Sequence, residues 1–111
     1  MSEAGALVVI ADMDGTAAAK AAAELRAKGR DADSCKLDVT DPKAVEQTAQ
    51  DIAVRHGKVD ILVNNAGIAI SFKPAETMPD ADWHKVIDVN LNGVFYCCRA
   101  FGRAMLERKS G

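Results

Sequence analysis

Cysteine and histidine are scarce, and neither is spaced as in a disulfide framework or a metal site. Three cysteines, Cys35, Cys97 and Cys98, occur in 111 residues, an odd number without C-x-x-C spacing. This usage predicts buried, reduced thiols in a reducing compartment. The two histidines, His56 and His84, lie far apart in the sequence and lack metal-ligand spacing, so we expect no metal.

An excess of one charge and a long apolar run are also absent. Lys and Arg number 14 against 16 Asp and Glu, which gives a net charge of −2. A balance this close to neutral argues against binding to nucleic acid or anionic membranes, which favour a basic face. The longest apolar run, residues 6–11, is too short to span a bilayer, and residues 1–5 lack the basic start of a signal peptide. We therefore expect a cytoplasmic protein without a membrane partner.

The composition that remains is that of one ordered domain at most, because 49% of the residues are apolar and 27% are charged. Strands are predicted at residues 6–11, 34–39 and 59–63, the first and third of them buried. Helices are predicted at residues 17–28, 42–56 and 80–108, the last with a bend near residues 90–93, after a loop at 71–79. This alternation is typical of an α/β fold with a parallel sheet.

Each predicted strand ends in polar residues. The first ends at Asp12, the second at Asp38-Val39, and the third at Asn64-Asn65-Ala66-Gly67. Ligands bind at the carboxyl edge of an open α/β sheet. A single aspartate at a strand end is more often a helix cap or a turn residue, but three such ends in succession indicate a ligand site.

Three of these segments resemble motifs of the short-chain dehydrogenase/reductase family. They are Leu37-Asp38-Val39-Thr40-Asp41, Val63-Asn64-Asn65-Ala66-Gly67, and Trp83 followed by Val89-Asn90-Leu91-Asn92-Gly93 and Phe95. The resemblance covers the whole chain, in the family's order and spacing. It implies a Rossmann-like, doubly wound parallel sheet in which residues 1–111 form a partial NAD(P)-binding domain, without the first strand and the C-terminal half.

The resemblance also implies roles for the residues at the strand ends. Asp12 would accept hydrogen bonds from the adenosine ribose hydroxyls, and because a carboxylate repels a 2′-phosphate, NAD is expected rather than NADP. Asp38 and Val39 would border the adenine, although Asp38 is equally explained as a cap or turn residue. The backbone of Asn65, Ala66 and Gly67 would run alongside the cofactor, where small residues permit close approach.

In the central helix, Asn90 matches the family's catalytic asparagine, which helps to hold a water of the proton relay. Judged without the resemblance, Asn90 would be a helix residue placed for packing reasons. The family's other catalytic groups are missing from the chain. Its only tyrosine, Tyr96, has Ala100 rather than lysine four residues later, and no G-x-x-x-G-x-G occurs. The resemblance therefore implies an internal segment that is inactive alone.

In the family's strand order, the first two strands of this chain are neighbours, and the absent first strand of the family separates them from the third. The complete enzyme is expected to be a homo-oligomer that uses the last helix. Its reaction would be NAD-dependent oxidoreduction of a small-molecule secondary alcohol or ketone. Residues 99–105 resemble sugar-alcohol dehydrogenases of the family, and a 3-oxoacyl substrate stays open. The alternative is a truncated, non-catalytic chain that acts only as a binding or association module.

Overall fold

The computed structural model describes residues 1–70 and 73–111, which form two compact units, Met1–Asp38 and Val39–Gly111. The first unit holds two strands and a helix: β1 (Val8–Asp12), α1 (Gly15–Ala27) and β2 (Ala32–Lys36). A 3₁₀ turn at Ser2–Ala4 precedes them. The strands pair in parallel, with Val8 opposite Ala32 and Asp12 opposite Lys36. The predicted pairing of the first two strands is confirmed.

Helix α1 begins where the sequence offers capping chemistry. The Asp14 carboxylate accepts hydrogen bonds from the backbone N–H groups of Thr16 and Ala17, both at 3.0 Å. These are two of the donors that the first turn of a helix leaves without a partner. The helix packs against both strands, and Ala18 and Ala22 are its buried residues. Their small side chains let the helix axis come close to the sheet.

The first strand is less buried than the sequence predicts. Val8, Val9 and Ile10 are half-buried, whereas Ala11 and Asp12 are exposed. The expectation of a strand enclosed on both faces is therefore wrong for this unit. The physical reason is that α1 is the one long helix in the first unit, so one face of the two-stranded sheet is covered within it.

The second unit is helical. Its elements are α2 (Pro42–His56), α3 (Asp80–Ile87), a π-helical turn at Asp88–Asn92, and α4 (Gly93–Arg108). The Asp41 carboxylate caps α2 through the N–H groups of Lys43 and Ala44, at 2.9 and 3.1 Å. The predicted bend near residues 90–93 is a π-helical turn, which lets α3 continue into α4 with right-handed helical dihedrals. In the predicted loop at 71–79, Ala75–Thr77 form one 3₁₀ turn, and Ser71 and Phe72 lie outside the described residues.

The predicted third strand is wrong for this chain. Residues 59–63 adopt no strand structure, and Ile61 and Val63 are each 62% exposed. A β-strand requires a neighbour to accept and donate its backbone hydrogen bonds. The one sheet in the described part of the chain joins β1 to β2. In the implied family order, the neighbour of residues 59–63 is a strand that these 111 residues do not contain.

The core of the second unit lies where α2 packs against α4. Val45 and Ile52 of α2 are buried, as are Cys97 and Phe101 of α4. Gly93, the first residue of α4, is also buried. A Cβ atom added at Gly93 would lie 2.7 Å from Val39 Cγ2, a distance that real Cβ atoms do not reach. The close approach of Val39 to the helix therefore depends on glycine at this position.

Candidate functional site

An open cavity lies in the first unit, where β1 ends and α1 begins. Six residues line it: Asp12, Met13, Asp14, Gly15, Thr16 and Lys36. The strand places Asp12 at its carboxyl end, and the loop of Met13 and Asp14 leads directly into the helix. This is the edge at which parallel α/β sheets bind ligands. One predicted site residue, Asp12, therefore lies in a cavity.

The Asp12 carboxylate uses one oxygen locally and keeps the other available. Its Oδ1 accepts a hydrogen bond from the backbone N–H of Asp14 at 2.8 Å, which fixes the orientation of the side chain. Its Oδ2 accepts no hydrogen bond within residues 1–70 and 73–111. The backbone carbonyl of Asp12 accepts from the N–H of Leu37 at 2.9 Å, which ties the end of β1 to the end of β2. The arrangement can accept a hydrogen bond from a ligand hydroxyl.

Lys36 is a cavity residue that the sequence reasoning missed. It lies directly opposite Asp12 in the parallel register, and its side chain is exposed. The only signal in the sequence is its place two residues before Asp38, and that signal has meaning only once the register of the two strands is known.

The predicted adenine-bordering residues, Asp38 and Val39, fall at the boundary between the two units. Asp38 is exposed and is the last residue of the first unit. Val39 is half-buried and opens the second unit, where it lies against Gly93. Gly93 thus fixes the position of Val39, a function that sequence reasoning did not assign to this glycine.

The predicted cofactor-contacting turn, Asn65-Ala66-Gly67, is exposed in the second unit. The Asn65 N–H donates to the carbonyl of Val63 at 3.1 Å, which makes a tight turn. A Cβ atom at Gly67 would meet its nearest neighbour, Asn90 Oδ1, at 3.5 Å, an ordinary contact. The neighbours of Gly67 within the described protein therefore do not require glycine at this position.

Asn90 lies in the π-helical turn, and both polar atoms of its side chain are engaged. Its Oδ1 accepts from the backbone N–H of Ile68, and its Nδ2 donates to the carbonyl of Ile68, each at 2.8 Å. The structure thus joins Asn90 to the segment that follows Asn65, Ala66 and Gly67. Turns of π-helix occur frequently at functional sites. The side chain acts here as a clamp on a backbone segment 22 residues away.

One further contact in the second unit involves a cysteine. Asn64 Nδ2 donates to Cys98 Sγ at 3.3 Å, which ties the Asn64–Gly67 turn to α4. Cys97 is buried as predicted, whereas Cys98 is exposed, so for Cys98 the expected burial is wrong. Burial raises the pKa of the Cys97 thiol, and the neighbouring Cys98 raises it further. Cys97 therefore stays protonated and poorly nucleophilic near neutral pH.

The described residues contain neither a candidate metal site nor a candidate membrane span. No group of three or more His, Cys, Asp or Glu residues among those described could hold a metal ion. Among residues 1–70 and 73–111, no helix is both long enough and apolar enough to cross a membrane.

The residues of the β1 cavity fit the adenosine part of a nicotinamide cofactor. Asp12 presents an available carboxylate oxygen to a ribose hydroxyl, and Gly15 leaves the start of α1 without a side chain on the cavity wall. The sequence has no glycine-rich G-x-x-x-G-x-G turn, which is the motif that would hold the phosphates of the cofactor. The fit is thus to the adenosine end of the cofactor.

Comparison with known proteins gives a consistent result. The family model described as short chain dehydrogenase matches residues 1–111. Galactitol 2-dehydrogenase of Rhizobium johnstonii is 46% identical over 111 residues, which are 100% of this chain and 43% of the relative. A crystal structure named gox2181 superimposes with a TM-score of 0.97 and 48% identity, over 99% of this chain and 43% of that one.

A second solved structure carries a nucleotide. The gluconate 5-dehydrogenase of Burkholderia cenocepacia, in complex with NADP and tartrate, has a TM-score of 0.90 and 39% identity over 96% of this chain and 42% of its own. This chain therefore spans about two-fifths of the length of the relatives that it matches.

Proposed function

This chain belongs to the short-chain dehydrogenase family, and from that premise we propose that it contributes part of the active site of an NAD-dependent oxidoreductase. The reaction interconverts a secondary alcohol and a ketone. The chain supplies the residues that bind the adenosine end of the cofactor, together with a positioning asparagine. The observation that carries the proposal is the Asp12 carboxylate, which lies in a cavity at the carboxyl end of β1 with Oδ2 available.

The preference for NAD follows from the charge of Asp12. A carboxylate accepts hydrogen bonds from the ribose 2′- and 3′-hydroxyls but repels a 2′-phosphate. Met13, which follows Asp12, is uncharged and offers no countercharge. Asp38 and the backbone of Val39 border the adenine, and the turn of Asn65, Ala66 and Gly67 runs beside the cofactor. When bound, the nicotinamide supplies the hydride acceptor or donor.

Asn90 is a positioning residue in this proposal. Both of its side-chain polar atoms bond to the backbone of Ile68, so the side chain holds the segment after Gly67 in place. This arrangement supports a role in fixing the wall of the active site, and a water of the proton relay would then be held by the backbone of the π-helical turn. The proton donor itself, a tyrosine followed four residues later by lysine, lies outside these 111 residues.

A sugar alcohol or sugar acid is the substrate class that the relatives support best. The galactitol 2-dehydrogenase and the gluconate 5-dehydrogenase act, by their names, on a polyol and on a sugar acid. A 3-oxoacyl substrate is the second possibility, because the substrate pocket of this family lies mostly in the C-terminal half. A further relative, which is 42% identical over 76 residues, is named as a 3-oxoacyl-[acyl-carrier-protein] reductase. Its name supports this second substrate class.

Association of the complete enzyme through α4 is part of the proposal. Phe95 and Leu106 of this helix are 57% and 79% exposed, and Leu91, in the turn before it, is 61% exposed. We propose that these side chains contribute to one contiguous apolar surface, because a surface of that kind marks a contact with other protein. The cytoplasm is the proposed location, on the grounds of composition given above.

The test is an assay of the chain together with its flanking sequence. We expect that longer protein to reduce NAD with galactitol or gluconate, followed by the absorbance of the reduced nicotinamide. The 111-residue chain alone is expected to show no turnover, because it lacks the Tyr-x-x-x-Lys pair. Turnover by the short chain would contradict the proposed division of roles.

The non-enzymatic alternative makes a different prediction about the gene. Flanking sequence that encodes a glycine-rich turn upstream and Tyr-x-x-x-Lys downstream supports the oxidoreductase. In-frame stop codons on both sides would instead support a chain that acts by association, through the exposed apolar residues of α4.

A further inference from the structure

The pairing of β1 with β2 brings two opposite charges to one edge of the sheet. Asp12 and Lys36 are opposite each other in the parallel register, and both line the cavity at the start of α1. Both are exposed. A ligand bound in this cavity would therefore meet both charges, although 24 positions separate the two residues in the sequence.

The stem of Lys36 lies across Gly15. A Cβ atom added at Gly15 would lie 3.0 Å from Lys36 Cβ, 3.5 Å from Cγ and 3.7 Å from Cδ. Three successive carbons of the lysine therefore run past the first residue of α1, along the wall of the cavity. Glycine at this position leaves the space that the stem occupies.

The Lys36 ammonium group is available to an incoming anion. It forms no ion pair or hydrogen bond with any residue in the described ranges 1–70 and 73–111. The cavity lining contains two carboxylates, and one oxygen of each is already engaged, since Asp12 Oδ1 accepts from the Asp14 N–H and Asp14 Oδ1 caps α1. An ammonium group has three donors and can form charge-assisted hydrogen bonds to a phosphate.

We propose that Lys36 is a specificity-determining residue that receives the 2′-phosphate of an adenosine nucleotide, so that the cavity accepts NADP-type as well as NAD-type cofactors. This inference rests on the proposed adenosine site. Asp12 disfavours the 2′-phosphate and Lys36 favours it. The preference for NAD over NADP is therefore smaller than Asp12 alone would impose. The cation comes from the neighbouring strand and not from the residue after Asp12, where Met13 stands.

The experiment compares two probes that lack the nicotinamide. Binding of adenosine 5′-monophosphate and of adenosine 2′,5′-bisphosphate is measured by isothermal titration calorimetry on the protein with its flanking sequence. Lys36→Met keeps the stem and removes the charge. We expect it to weaken the bisphosphate about tenfold, the size of a charge-assisted hydrogen bond to phosphate, and to leave the monophosphate within about twofold.

Two control variants isolate the charge at this position. Lys36→Arg keeps the charge and is expected to keep the ratio of the two affinities. Lys20→Met removes the same charge from an exposed site on α1 that does not line the cavity, and the ratio is expected to be unchanged. A shift of equal size in Lys20→Met would assign the effect to net charge and overturn the proposal.

Gly15→Ala provides a second, geometric test. The added methyl group would lie 3.0 Å from Lys36 Cβ, so Lys36 or the start of α1 has to shift by a few tenths of an ångström. The ratio of bisphosphate to monophosphate affinity is expected to fall in the wild-type background and to stay unchanged in the Lys36→Met background. An equal fall of the ratio in both backgrounds would mean that Gly15 acts independently of the Lys36 charge, and this result would count against the proposal.

The outcomes separate this inference from the function on which it rests. If both probes bind and Lys36→Met leaves their ratio unchanged, the inference fails while the adenosine site stands. If neither probe binds the wild-type protein, the adenosine site fails and the inference fails with it.

Discussion

Residues that match one family's functional motifs lie at the end of β1 in the first unit and around the start of α4 in the second. These two sets of residues make different kinds of contact. Asp12 is held by a residue two positions away and keeps a carboxylate oxygen available. Asn90 is bonded through both polar atoms to Ile68, 22 positions away, and Gly93 lies against Val39. One end offers atoms to a ligand, and the other end holds protein segments in place.

The difference teaches that a motif match does not by itself distinguish a contacting residue from a positioning one. A residue with short-range bonds and an exposed polar atom can change its partner at little cost in fold stability. A residue whose polar atoms bridge distant segments affects the fold first and the function through it. The four predictions below test this distinction.

The largest effect is expected at Gly93. In Gly93→Ala the new Cβ would lie 2.7 Å from Val39 Cγ2 and 3.4 Å from the Val39 carbonyl oxygen, so the helix or Val39 must shift. Overpacking of a buried site costs about 2 kcal/mol, more than the gain of replacing glycine in a helix. We expect a loss of about that size in the free energy of unfolding, measured with urea.

The matched control is Gly102→Ala in the same helix. A Cβ at Gly102 meets nothing within 4 Å, so this variant is expected to gain about 0.5–1 kcal/mol. The double variant Gly93→Ala with Val39→Ala removes the contacting methyl and should recover part of the loss. A neutral Gly93→Ala would mean that the contact with Val39 does not constrain the helix.

Asn90→Ala is expected to have the next largest effect. It removes two hydrogen bonds of 2.8 Å to the backbone of Ile68, each with a net contribution of roughly 0.5–1.5 kcal/mol. Both groups are at least partly accessible to water, so we expect a total loss of about 1.5 kcal/mol in urea unfolding. In Asn92→Ala, one hydrogen bond to Asp88 in the same turn is lost, and about 0.5 kcal/mol is expected. Equal losses in the two variants would show that the bonds to Ile68 are no stronger than a local one.

The sequence predicts local structure in this chain better than long-range structure. Asp14 and Asp41, which have the usual chemistry of helix caps, do cap the helices that they precede, and α2 ends at His56 as expected. These features depend on neighbours within four residues, which the sequence displays directly. The interruption of the last helix was also predictable in position, although its form, a π-helical turn, was not.

Residues 59–63 and Lys36 are the two cases that local patterns could not predict. The apolar run of residues 59–63 has strand character, but a strand exists only with a hydrogen-bonded neighbour, and the sequence of the run does not reveal whether one is present. Lys36 gains its meaning from the register that places it opposite Asp12. Both depend on which segments pair, a property of the sheet and not of either segment.

The third prediction concerns Asp12, at the end of β1. Asp12→Ala is expected to raise the ratio of kcat/KM for NADP to that for NAD about tenfold, which is 1.4 kcal/mol, because the repulsion of a 2′-phosphate is lost. The free energy of unfolding should change by less than about 0.5 kcal/mol, since Asp12 is exposed. The assay is steady-state kinetics of the protein with its flanking sequence.

Asp31→Ala is the control for Asp12. It removes the same charge from an exposed residue that precedes β2, at the amino end of the sheet. Its cofactor ratio is expected to equal that of the wild-type protein. An unchanged ratio in Asp12→Ala itself would identify Asp12 as a turn residue that only orients Asp14.

The smallest effect is expected where the two units are alike. Asp14 caps α1 and Asp41 caps α2, each by accepting two backbone N–H groups at 2.9–3.1 Å. Because both contacts are local, Asp14→Ala and Asp41→Ala should each cost about 1 kcal/mol in urea unfolding, whichever unit they lie in. Asp51→Ala, an exposed residue bonded to Gln47 within α2, should cost less than about 0.5 kcal/mol. If one of these two variants loses far more unfolding free energy than the other, the carboxylate that it removes has a long-range role as well. The distinction between local contacts at the end of β1 and long-range contacts at the start of α4 would then be contradicted.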